Sequence, residues 1–89
     1  MKTVHILIKG KVQGVFFRAS AKEMADKLNV KGWVKNTATG DVEVMASGEE
    51  NNIYQFIEWC KYGPRRAFVT EVIVRQNEAV SFNDFSVRR

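Results

Sequence analysis

The 89-residue chain is 45% hydrophobic and 27% charged, enough for one modest core, so residues 1–89 are expected to form a single domain. A formal net charge of +4 favours an anionic partner, yet so small a surplus does not separate a polyanion binder from an enzyme of small anions. The first apolar stretch, Val4 to Ile8, is broken by His5 and closed by Lys9, which excludes a signal-peptide core or membrane span and points to the cytoplasm; a lone Cys60 excludes an internal disulfide.

Thr3 to Lys9 alternates, with Val4, Ile6 and Ile8 on one side, the period-2 pattern of a first strand. Gly10-Lys11-Val12-Gln13-Gly14-Val15-Phe16-Phe17-Arg18 follows, with two glycines ahead of a helix and an arginine in its first turn. Glycines let backbone N–H groups point inward, the helix start adds unpaired donors, and arginine offers a planar fork for phosphate or carboxylate oxygens. The segment therefore reads as an anion cradle. Phe17, Ala21, Met24, Ala25 and Leu28 form one helical face ending near Asn29. Val30 to Asn36 alternates again, Ala38-Thr39-Gly40-Asp41 supplies turn residues, and Val42, Val44 and Ala46 resume a strand, which predicts a hairpin. Ser47-Gly48-Glu49-Glu50 fits a capping box for a second helix carrying Ile53, Phe56, Ile57 and Cys60 and stopped by Gly63-Pro64. Phe68 to Gln76 is a fourth strand and Phe82 to Val87 a short fifth.

This βαββαβ order with an added C-terminal strand predicts a ferredoxin-like split βαβ sandwich in the α+β class, an antiparallel sheet with two helices on one face. The fifth strand has no assigned place in it. In that topology the first and second strands are parallel, with the third between them, so both finish at the same edge. Arg18 and Asn36 should then face each other across one strand, with backbones ~10 Å apart.

The stretch Gly10 to Arg18 resembles the first motif of the acylphosphatase family at every defined position. Gly32-Trp33-Val34-Lys35-Asn36, followed by Gly40, Val42 and Gly48, resembles the second, spacing included. The resemblance implies hydrolysis of the carboxyl–phosphate bond of small acyl phosphates, with no metal and no cofactor. It implies that Arg18 and the backbone N–H groups of Gln13, Gly14, Val15, Phe16, Phe17 and Arg18 hold the phosphate, with Gly14 needed for loop shape. The Asn36 side chain would position the attacking water, and the neighbouring Thr37 would support it by fixing its amide. The substrate would be a small acyl phosphate, with no nucleic-acid or membrane partner and a monomeric chain.

Other readings compete with this one. Cys60-Lys61-Tyr62-Gly63-Pro64-Arg65-Arg66 has the C-x-x-G-x-x-R spacing of cysteine-dependent phosphatases, but there the thiol precedes a helix and here it ends one, so a buried structural cysteine is expected. A non-catalytic ferredoxin-like module binding RNA, another polyanion or a protein partner is the alternative function, although Val42, Val44 and Ala46 lack the strand aromatics that stack bases. His5 reads as structural, Arg88-Arg89 as a solvated tail, and Arg65-Arg66 as an ordinary exposed pair, with steering of the anionic substrate at the rim of the site as the rival reading.

Overall fold

The computed structural model describes residues 1–89. Seven elements run in the order β1 (Lys2–Lys11), α1 (Phe17–Lys27), β2 (Lys31–Asn36), β3 (Val42–Gly48), α2 (Glu50–Cys60), β4 (Phe68–Asn77) and β5 (Phe85–Val87). One five-stranded sheet has the order β4-β1-β3-β2-β5. β3 is antiparallel to both β1 and β2, which makes those two parallel to each other. Val42 pairs with Ile8 on one side and with Asn36 on the other, so the ends of β1 and β2 lie two strand steps apart, as expected.

Alternation decides which face is buried. Val4, Ile6 and Ile8 of β1, Val34 of β2, and Val42, Val44 and Ala46 of β3 join Phe17, Ala21 and Ala25 of α1 and Ile53, Phe56 and Cys60 of α2 in one core. Both helices thus pack on one face. His5, Trp33, Lys35, Glu43 and Met45 alternate onto the other, which carries no helix. The side chains of β3 available there for stacking are therefore Glu43 and Met45, since Val42, Val44 and Ala46 lie in the core.

Three details differ from the sequence expectation. The sheet is mixed rather than antiparallel, because β5 runs parallel to β2, Gly32 opposite Phe85 and Val34 opposite Val87. Residues 78–84 carry the chain from the β4 edge to the opposite one and reverse its direction, pinned on the way by the Val80 N–H donating to the Thr3 hydroxyl at 3.2 Å. The Ser47 capping box does not form. Ser47 is a buried ladder residue of β3 whose hydroxyl accepts from Thr3 at 3.0 Å, and α2 instead starts after Glu49, which makes no side-chain cap. Finally, Gly10 belongs to β1 and not to the loop. Pairing slips between Lys9 and Gly10, and with φ at 128° a Cβ there would sit 2.1 Å from the Phe68 carbonyl oxygen of β4. Its glycine serves a strand irregularity.

Candidate active site

The loop after β1 is anchored by two buried valines, Val12 and Val15, with Gly14 between them at φ 75° and Phe16 after them at φ 63°. Left-handed residues this close together turn successive peptide N–H groups to the same side, an arrangement suited to anions. Phe16 also closes the first bond of α1, accepting from the Ser20 N–H at 3.0 Å. The backbone N–H groups from Gln13 to Ala19 donate to no other protein group, so loop and helix start together present a continuous run of free amides.

A cavity of about 680 Å³ opens in front of them, lined by Gly14, Phe16, Phe17, Arg18, Ala19, Asn36, Val87 and Arg89. Arg18 and Asn36, 18 positions apart in the chain, thus meet in one cavity, as the topology required. Asn36 is the last residue of β2, and its side-chain amide is hydrogen-bonded to no other residue. Arg18 donates one guanidinium N–H, from Nη1, to the Arg88 carbonyl at 2.9 Å.

That bond corrects the reading of Arg88-Arg89 as a solvated tail. The Arg88 N–H donates to the Val34 carbonyl at 2.7 Å, which extends the β2–β5 pairing, and its guanidinium lies 4.7 Å from the Trp33 ring centroid. Arg89 lines the cavity. Sequence reasoning missed Val87, Arg88 and Arg89 because nothing local shows that a three-residue strand will dock beside β2. Phe85 does that docking: it is buried edge-on against Phe56 at 5.8 Å, while Lys22 of α1 donates to its carbonyl at 3.0 Å.

The other expected site residues are placed differently from one another. Val15 contributes only backbone, its side chain being in the core. The Gln13 side chain turns away from the cavity and donates to the carbonyls of Thr37 and Asp41, both at 2.8 Å. Thr37 does not bond the Asn36 amide. Its hydroxyl meets Thr39 Oγ1 at 2.9 Å and accepts from the Asp41 N–H at 3.0 Å, because the tight turn after β2 needs that acceptor. Thr37 therefore acts on the turn next to Asn36.

The competing features lie elsewhere. Cys60 is fully buried among the helix-face residues, and burial pushes its thiol up, away from the reactive thiolate. Arg65 and Arg66 are exposed and do not line the cavity, while Gly63 of the same loop packs closely on Phe17, whose ring a Cβ there would meet at 2.4 Å. His5 pairs with Glu43 at 2.6 Å on the open face, which lowers the Glu43 pKa, with Lys35 at 3.6 Å adding to the effect. No group of three or more His, Cys, Asp or Glu stands in a metal-holding arrangement. No helix is long and apolar enough to cross a membrane.

A ferredoxin-like sandwich thus brings free amides, an arginine and an asparagine to one cavity, a set of groups suited to an anion. The sequence model of the acylphosphatase family matches residues 4–87. The chain is 44% identical over 85 residues to an acylphosphatase of Coxiella burnetii, covering 96% of this chain and 90% of that one. It is 42% identical over 90 residues to one of Methylococcus capsulatus, covering 100% and 98%. The crystal structure of acylphosphatase from Bacillus subtilis superposes with a TM-score of 0.96 at 37% identity, over 100% of both chains. The chain belongs to the acylphosphatase family.

Proposed function

We propose that the chain hydrolyses small acyl phosphates to a carboxylate and inorganic phosphate in the cavity between α1 and the ends of β2 and β5. Family membership and the matched structure support the activity. The observation that carries the residue roles is that Gly14, Phe16, Phe17 and Ala19, from the run of free amides, line one cavity together with Arg18 and Asn36. The amides and Arg18 hold the phosphate oxygens and stabilise the charge that builds on them, and this phosphate-binding loop needs Gly14 for its turn. Asn36 holds a water in line with the bond to be cleaved.

Water oxygen then bonds to phosphorus as the bond from phosphorus to the acyl oxygen breaks, its electron pair leaving with the carboxylate. The proton of the water passes to a phosphate oxygen. A carboxylate is a good leaving group, so no general acid is needed and positioning with charge stabilisation suffices. Phe16, Ala19 and Val87 give the rim an apolar lining beside which the acyl group fits.

The reaction needs no metal or cofactor, and the unit that carries it out is the single domain of residues 1–89, monomeric and cytoplasmic, with no nucleic-acid or membrane partner. Hydrolysis of a simple acyl phosphate by purified protein, followed as phosphate release before and after exhaustive chelation, tests this. Full activity after chelation is the expected result. Activity that falls with chelation and returns with a divalent cation contradicts it.

A further inference from the structure

Both halves of the site are built on separate pieces of chain, the phosphate loop after β1 and the hairpin end that carries Asn36, and one side chain spans them. The Gln13 amide nitrogen has two protons, and both are used: one bond goes to the Thr37 carbonyl and one to the Asp41 carbonyl, each 2.8 Å long. These two acceptors sit at the two ends of the turn that begins immediately after Asn36, and the Thr37 N–H closes the same turn on Asp41 at 2.9 Å. The β2–β3 ladder ends at the Asn36–Val42 pair, so this turn lies just beyond the last paired residues of the sheet.

Asn36 itself has no side-chain partner to fix it. The position of its amide follows from its backbone. On the loop side, Val12 and Val15 anchor into the core, and Gln13 between them hydrogen-bonds the turn of the hairpin. An amide is the suited group here, since it offers two donors to two carbonyl oxygens; a carboxylate offers none and would repel both.

We propose that the Gln13 side chain is a positioning residue that sets the distance between the phosphate cradle and Asn36, and thus the placement of the attacking water relative to phosphorus. This rests on the assignment of the water to Asn36. Its backbone N–H remains part of the cradle whatever the side chain, so phosphate binding and water placement separate. Misplacement of a reacting group by about 1 Å is worth about a hundredfold in rate, which sets the size of the effect.

The test is a double-mutant cycle on the full chain. Gln13→Met keeps the length and removes both donors, and Gln13→Ala runs in parallel in case the methionine does not fold cooperatively. Each is made alone and in the Asn36→Ala background, and kcat for a simple acyl phosphate is measured beside competitive inhibition by inorganic phosphate. The expected result is a fall in kcat of about 10- to 100-fold with phosphate inhibition changed by less than about threefold, and no further fall when the substitution is added to Asn36→Ala. An unchanged kcat, a parallel loss of phosphate inhibition, or an equal fall in the Asn36→Ala background overturns the proposal. Near-native turnover of Asn36→Ala alone overturns the water assignment beneath it and is read separately.

Discussion

At the scale of single residues, Arg18 divides its guanidinium between the protein and the cavity. One Nη1 proton is committed to the Arg88 carbonyl, which ties the fork to the C-terminal segment and leaves its remaining donors without a protein partner. Lysine in its place carries the charge but cannot hold the carbonyl and address two phosphate oxygens together. Arg18→Lys is therefore expected to lower kcat/KM by about a hundredfold or more, the scale seen when one donor to a developing oxyanion is removed. Steady-state kinetics check this, and a variant within a few-fold of native removes Arg18 from its assigned role. Gln13, Gly14, Phe16, Arg18 and Asn36 stand out in the sequence because glycine spacing and residue type mark them. The Arg88 carbonyl has no such mark: any residue supplies a carbonyl, and only the docking of the chain end decides where it points.

At the scale of elements, the outlying strand β5 matters more than its three residues suggest. Phe85 buries its ring against Phe56 and, together with the β2–β5 pairing and the Arg88 N–H bond to Val34, seats the Arg88 carbonyl and the cavity wall at Val87 and Arg89. Truncating the ring leaves a cavity that costs about 3–5 kcal/mol. Phe85→Ala is expected to lower stability by that amount in denaturant unfolding and to reduce activity below what the folded fraction explains; activity proportional to the folded fraction contradicts the link. The open face of the sheet yields a pH prediction. The His5 bond holds the Glu43 carboxyl below its ordinary value, with Lys35 assisting. A depressed folded-state pKa gives stability that is fully present above the unfolded carboxyl value, about 4.3, and is lost as pH falls through the lower folded value. Glu43→Gln should therefore flatten the stability profile below about pH 5, measured by unfolding across that range; an unchanged acid limb contradicts it. Long amphipathic elements were legible from periodicity alone, as in β1 and α1. The Ser47 capping box and the place of β5 were not, since a local cap signal yields to a buried ladder position and a short strand takes its partner from tertiary packing.

At the scale of the whole molecule, the fold acts as a jig. Sheet order β4-β1-β3-β2-β5 brings the ends of two parallel strands to one edge with β3 between them, so the loop after β1 and the residue ending β2 share a cavity. That juxtaposition was readable from the βαββαβ order, because the topology allows few alternatives. The closing of the cavity by the C-terminal segment was not, because it requires the crossing of residues 78–84 from one sheet edge to the other. In the proposed division of labour, Gln13 to Arg18 bind and polarise the phosphate while Asn36, from another strand, places the water. Acyl phosphate turnover and inhibition by inorganic phosphate, measured together on the native chain and on Asn36→Ala, separate the two roles. A loss of turnover of about a hundredfold or more with phosphate inhibition essentially unchanged is expected. Turnover near the native value, or phosphate inhibition lost along with it, would rule out this division of roles.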